Sequence, residues 1–142
     1  MKESDVVMAE LWLNGKLLIE ERWEDIQDEE TGEIKQETRY AIPGGKVEED
    51  ETDLEAVVRE IEEEAGIIIQ PDGEFVKSAE ELTDKPEKVK VFRKLLDPQL
   101  TPKDGIILCA PHEVIELGAM GKLMPYTKQH VDKEFVVVKN GA

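Results

Sequence analysis

Apolar side chains crowd the start of the chain in two runs, "VVMAELWL" (residues 6–13) and "KLLIEERW" (residues 16–23), with Asn14-Gly15 between them. The runs read as two strands, and Asn-Gly accepts the positive φ values that a tight hairpin turn requires. The next stretch, "EDIQDEETGEIKQETRYAI", is mostly polar. It predicts polar strands or a loop turning at Thr31-Gly32, then a strand ending near Ile42, and Pro43-Gly44-Gly45 is expected to stop regular structure. From Thr52 the period changes. Leu54, Val57, Val58, Ile61 and Ala65 recur at spacings of three and four, and at about 100° per residue they share one narrow face that packs inward. Thr52 is placed to cap this helix, with Glu55 completing a capping box and Gly66 supplying the left-handed residue that ends it.

Beyond the helix, "IIIQ" (residues 67–70) reads as a short strand and Pro71-Asp72-Gly73 as a turn. "VKVFRKLL" (residues 89–96) and "IILCA" (residues 106–110) read as strands of a mixed sheet, separated by loops that Pro86, Pro98 and Pro102 mark. Pro111 suits the first turn of a helix running through Leu117, and a final amphipathic segment is expected to begin near Pro125. No repeat or low-complexity linker divides the sequence. The pattern predicts one α/β domain over residues 1–142, long enough to bury roughly two thirds of the surface of its unfolded chain.

Composition narrows the class. Hydrophobic content is 39%, no apolar stretch approaches the roughly 18 residues of a membrane span, and no basic-then-apolar leader follows Met1. The expectation is a soluble cytoplasmic protein with no membrane partner. Eighteen Lys and Arg stand against 34 Asp and Glu, a formal charge of -16, which disfavours duplex nucleic acid as a partner. Small phosphate ligands stay open, because a bound divalent cation reverses the local field. Most of the acids read as a solvated surface. Cys109, the single cysteine, sits in the apolar run "GIILCAP" and reads as a buried thiol without a chemical role.

One group of acids departs from that reading. Glu60, Glu63 and Glu64 fall within about 100° of one another on the helix, so three carboxylates meet on one face. Unpaired, they repel; a hard divalent cation such as Mg²⁺ or Mn²⁺ would remove the conflict, taking carboxylates together with water and substrate phosphate. The surrounding order is specific: Gly45, five residues, Glu51, seven residues, Arg59, Glu60, Ile61, one residue, Glu63, Glu64, one residue, Gly66 and Ile67. It fills every defined position of the Nudix box, with one of only four arginines in the chain at the required place. On residues 45–67 the chain resembles the Nudix hydrolases.

The resemblance implies a Nudix fold, a mixed sheet sandwiched between helices. It implies that the Gly44 carbonyl, Glu63 and Glu64 bind the metal, that Glu60 serves as ligand or general base, and that Arg59 orients loop and helix through Glu51. Gly45 and Gly66 would be structural, shaping the two ends of the motif. A further acid from a later loop is implied; Asp104 is the first candidate, with Glu113 and the Glu80-Glu81 pair behind it. His112 and His130 lie on separate segments without ligand spacing and read as helix-end or surface residues. Among the aromatic residues Trp12, Trp23, Tyr40, Phe75, Phe92, Tyr126 and Phe135, most read as core; Trp23 and Tyr40 are preferred for stacking on a base. Arg22, Arg39 and Lys46 are nearby cations for phosphate.

The implied activity is divalent-metal-dependent cleavage of a phosphoanhydride bond in a nucleoside diphosphate linked to another group. A nucleoside triphosphate yielding nucleoside monophosphate and pyrophosphate is the leading substrate. ADP-ribose and nucleotide sugars are alternatives, and a non-catalytic nucleotide sensor is the alternative of another class. The expected partner is a small nucleotide, and a homodimer is compatible with the pattern. A calcium buffer is set aside, because the alternating Asp/Asn loop it needs is missing.

Overall fold

The computed structural model describes residues 3–69, 75–82 and 87–136. The turn expected at Pro71-Asp72-Gly73 and the loop at Pro86 lie outside the described residues. Strands β1 (Val6–Leu13) and β2 (Lys16–Gln27) form the expected hairpin, and Asn14 and Gly15 carry it with φ of 53° and 79°. β2 runs past Trp23, the residue where the apolar signal stops, because β3 (Ile34–Ala41) pairs antiparallel with it from Glu20↔Ala41 to Gln27↔Ile34. Backbone pairing sustains this polar ribbon without an apolar stripe.

Pro43-Gly44-Gly45 does not end regular structure. Gly44–Lys46 forms a short strand, β4, antiparallel to the start of β1. A Cβ on Gly44 would lie 2.4 Å from the Val7 carbonyl oxygen, so glycine lets β4 approach β1 that closely. Helix α1 (Asp53–Ala65) starts and stops as expected. Thr52 Oγ1 accepts from the Glu55 amide at 3.1 Å, Glu55 Oε1 accepts from the Thr52 amide at 2.9 Å, and Gly66 has φ of 70°. Val57, Ile61 and Ala65 are buried with Ala56, while Leu54 and Val58 are only partly covered at the edge of the stripe.

Residues 67–69 are not a strand. Ile67 and Ile69 are buried and Ile68 is exposed, so the alternation is real, but among the described residues no neighbouring strand pairs with them. Strand β5 (Val76–Leu82), which the sequence pattern did not signal, pairs antiparallel with β6 (Lys88–Leu95). β6 runs parallel to β1 from Val6↔Val89 to Trp12↔Leu95. β7 (Ile106–Cys109) joins β2 on the side away from β1. The backbone order β3-β2-β1-β6-β5, with β4 on β1 and β7 on β2, makes a mixed seven-stranded sheet. α2 (Pro111–Ala119) and α3 (Pro125–Val131) follow, and a five-residue π-helical turn (Asp132–Val136) continues α3. Among the described residues no helix is long and apolar enough to cross a membrane.

The two faces of β1 divide the core. Val7, Ala9, Leu11 and Leu13 meet α1 through Val57, Ile61 and Ala65. Val6 and Met8 face the opposite layer, with Leu17, Ile19, Val91, Cys109, Val114 and Val131. Glu10 lies on that second face and is 1% exposed. It is satisfied there by Trp12 Nε1 at 2.6 Å, Arg93 Nε at 2.5 Å and His130 Nε2 at 2.7 Å. His130, in the last turn of α3, is therefore a helix-end residue but not a surface one: it is 0% exposed.

Burial alone would raise the Glu10 carboxyl, but hydrogen bonds from His130, Arg93 and Trp12 overcome it and hold the pKa at about 2, below the ordinary 4.5. A carboxylate lowered in the folded state contributes stability that is complete above about pH 4.5 and is lost as pH falls through about 2. The shift corresponds to about 3 kcal/mol. Urea unfolding of the wild type and Glu10→Gln should differ by about that amount at pH 7, with the gap closing as the pH falls towards 2. A gap independent of pH would show that the carboxylate charge contributes nothing.

Candidate active site

The acids of α1 reach the described site through two arginines. Arg59 projects towards the loop that follows β4. Its Nε and Nη2 grip Glu51 at 2.7 and 2.9 Å, its Nη1 donates to Glu60 at 2.8 Å, and Nη2 also donates to the Lys46 carbonyl at 3.2 Å. The fork of a guanidinium suits this job, since its donors are fixed in one plane. The Arg59 contact, ahead of other influences, pulls Glu51 below the usual carboxylate range, and the same contact, ahead of opposing burial, raises Arg59. Through these contacts Arg59 ties loop residues 46–51 to α1.

Glu60 lies against Gly45. A Cβ there would sit 2.6 Å from Glu60 Oε1. Gly45 has no positive φ, so what the first glycine of the box provides is room for the carboxylate packed on it and not a special backbone turn.

Glu64 is held from the other side. Its Oε1 accepts from the Gly44 amide at 2.7 Å and its Oε2 from Arg22 Nη2 at 2.7 Å, while the same Arg22 nitrogen reaches Glu20 at 3.1 Å. Burial, first, and the neighbouring Glu20 push the Glu64 carboxyl up to about 7, against the pull of the Gly44 amide and Arg22. Glu63 is the exposed member of the trio, 57% open, with Arg59 Nη1 at 3.5 Å. Among the described residues no three His, Cys, Asp or Glu side chains converge as a metal trio in this arrangement. The donor chemistry fits a hard cation all the same: carboxylate oxygens at the edge of a partly buried site, beside a glycine backbone.

Asp104 is exposed on the loop before β7, beside Gly105. That loop docks on the end of α1, because the Lys103 amide donates to the Ala65 carbonyl at 3.0 Å and Lys103 Nζ to the Glu63 carbonyl at 2.6 Å. The Asp104 loop and the acids of α1 are therefore neighbours. Glu113 instead caps α2, accepting from the Ala110 amide at 2.8 Å, and His112 is exposed in the first turn of the same helix. The side chains of Glu80 and Glu81 lie outside the described residues.

A cleft of about 780 Å³ opens beside this network, lined by Arg22, Gly44, Gly45 and Lys46 together with Val6, Met8 and Ile42. Met124, Tyr126 and Lys128 face it from α3 and the residue before it, and Tyr126 Oη donates to Glu87 in the lining. Lys46 is thus in the cleft, whereas Trp23, Arg39 and Tyr40 are not in its lining. Trp23 is 65% exposed on the β2–β3 ribbon, Arg39 is paired with Glu37 at 2.9 Å and Glu24 at 3.6 Å, and Tyr40 packs on the core, its amide bonded to Lys122. The sequence did not point to Glu20 or to Met124. No local spacing announces them, since β2 and the residues before α3 meet only through the sheet.

The described fold resembles solved structures along most of its length. The solution structure of the ORF135 protein from E. coli is 25% identical, with a TM-score of 0.60 over 98% of this chain and 92% of that one. DR0079 from Deinococcus radiodurans is 20% identical, with a TM-score of 0.68 over 94% and 83%. A protein described as a Nudix hydrolase family member, from Chromobacterium violaceum, is 20% identical, with a TM-score of 0.61 over 92% and 74%. No curated protein sequence matches the chain. The NUDIX domain model matches residues 6–136, spanning the box, the sheet and the cleft wall alike, and the chain belongs to the Nudix family.

Proposed function

We propose that this chain, acting as one Nudix domain over residues 1–142, is a cytoplasmic hydrolase of nucleoside triphosphates that releases nucleoside monophosphate and pyrophosphate. The observation that carries the reading is that Glu51, Arg59 and Glu60 on one side, and Glu64 through the Gly44 amide on the other, are tied to the Gly44–Lys46 strand that lines an open cleft. Nudix enzymes are generally pyrophosphohydrolases that use divalent metals such as Mg²⁺. The Gly44 carbonyl, Glu63 and Glu64, with Glu60, would hold Mg²⁺ or Mn²⁺, which neutralises phosphate oxygens and acidifies a bound water when present.

The chain's own residues supply the rest. Hydrolysis adds water across one phosphoanhydride bond: the water oxygen ends on one phosphate, the bridging oxygen leaves with the other, and a base takes the proton. Glu60, fixed by Arg59 and Gly45, is the assigned base. Lys46 and Arg22, which both line the cleft, are the cations assigned to phosphate oxygens. Asp104 assists from the loop docked on α1. Asp104→Asn is therefore expected to lower turnover more than it lowers thermal stability, since the side chain is exposed. Wild-type turnover in that variant would remove Asp104 from the reaction.

The deciding experiment incubates the protein with a nucleotide library and Mg²⁺ and identifies products by chromatography. Monophosphate and pyrophosphate from a triphosphate are expected. Cleavage confined to ADP-ribose or a nucleotide sugar would move the substrate class, and tight binding without turnover would replace the enzyme with a sensor.

A further inference from the structure

β2 is, among the described residues, the one strand that pairs along β3. Among the described residues the outer edge of β3 is closed at one point: the Tyr40 amide donates to the Lys122 carbonyl and the Met124 amide to the Tyr40 carbonyl. Those bonds establish which residues turn their backbone groups outward. Tyr40 does, and by the two-residue repeat of a strand so do Thr38, Gln36 and Ile34. Among the described residues the outward amides of these three have no backbone partner. Such an edge is a template for another strand unless its side chains forbid one.

The side chains here are ordered. Lys35, Glu37 and Arg39 share the face opposite to Ile34, Gln36 and Thr38, and Glu33, just before the strand and bonded through its carbonyl to the Asp28 amide, continues the alternation in sign. A second copy related by a two-fold axis must pair antiparallel. With Gln36 opposite Gln36, Glu33 faces Arg39 and Lys35 faces Glu37 of the other copy, so the symmetric ladder holds four pairs of opposite charge. Shifting to Gln36 opposite Thr38 sets Lys35 against Arg39 and Glu37 against Glu37. Shifting the other way sets Glu33 against Glu37 and Lys35 against Lys35. The outward bonding groups permit all three registers, and the charges favour one.

The apolar residues agree with that register. Ile34 is 67% exposed and Trp23 65% exposed, and Trp23 stands beside Thr38 across the β2–β3 ladder. Gln36 opposite Gln36 places Ile34 of one copy next to Thr38 of the other, in one row with Trp23. We propose that β3 is a homodimer edge, two copies of this chain joining antiparallel about Gln36 into one continuous sheet. None of residues 33–39 lines the cleft or bonds an acid of α1, so the proposal stands apart from the substrate reading.

Sedimentation equilibrium over a concentration series tests it with four proteins. The wild type should rise with concentration towards twice its chain mass of 16.1 kDa. Lys35→Glu and Glu37→Lys, each placing like charges opposite one another twice, should shift it back to the monomer mass. The double variant Lys35→Glu with Glu37→Lys restores the opposite order and should dimerise again. These positions are exposed or half-buried edge sites, and circular dichroism of each variant checks that the strand is kept. A wild type that stays at 16.1 kDa throughout, single variants that remain dimeric, or a double variant that stays monomeric would each overturn the assignment.

Discussion

Glu60→Gln is expected to lower turnover at saturating Mg²⁺ and substrate by at least about a hundredfold, the lower range for a lost general acid or base. Glu62→Gln should leave it close to wild type. Both changes remove one negative charge from α1 and keep the shape of the side chain. They differ in place. Glu60 is largely covered, bonded to Arg59 at 2.8 Å and packed on Gly45, whereas Glu62 is exposed beyond the network. The Gln amide at position 60 fills the same volume, yet it turns an acceptor into a donor on one side and cannot take a proton from water. Thermal stability should change little in either variant. Equal losses of turnover from the two substitutions would mean that α1 acts through bulk charge, and the assignment of a placed carboxylate would fail.

The box was legible because its chemistry is local. Thr52, Glu55 and Gly66 are caps whose partners lie within four residues, and Arg59 finds Glu51 and Glu60 within eight. A spacing along one helix and its preceding loop fixes such contacts before any tertiary structure forms. The β1–β2 hairpin was legible for the same reason, its turn needing two residues that accept positive φ.

What escaped the sequence depends on elements far apart. Glu10 and His130 are 120 residues distant and meet only when α3 lies on β1; a single acid inside an apolar strand shows that it needs partners but not which ones. Residues 67–69 misled in the opposite direction. Three isoleucines and a buried-exposed alternation satisfy the local pattern of a strand, but a strand is completed by a neighbour, and local pattern does not supply one. β3 was ambiguous because its polar side chains carry no burial signal, although it holds a full ladder with β2. The cleft wall shares the difficulty: Met124 and Tyr126 face Met8 and Gly44 through the order of the sheet.

Gly44 and Gly45, adjacent in the motif, are expected to fail in different ways when changed to alanine. At Gly44 the new Cβ would meet backbone, 2.4 Å from the Val7 carbonyl oxygen and 2.9 Å from the Met8 Cα. Backbone within a sheet cannot step aside, so β4 must part from β1, and a loss of about 1–3 kcal/mol of stability is expected from the overpacking. At Gly45 the nearest atoms belong to the end of a side chain, Glu60 Oε1 at 2.6 Å and Cδ at 2.7 Å. That carboxylate can rotate away, and its ion pair with Arg59 is partly open to solvent, so the fold loses little. What Gly45→Ala removes is the position of Glu60. Its turnover should therefore fall about as far as that of Glu60→Gln, on the order of a hundredfold, with a melting temperature near wild type. Thermal melts and turnover of the two alanine variants, measured side by side, separate the roles. Wild-type turnover in Gly45→Ala would show that the Glu60 carboxylate does not need to rest on that glycine, and a melting temperature as low as that of Gly44→Ala would make both glycines structural.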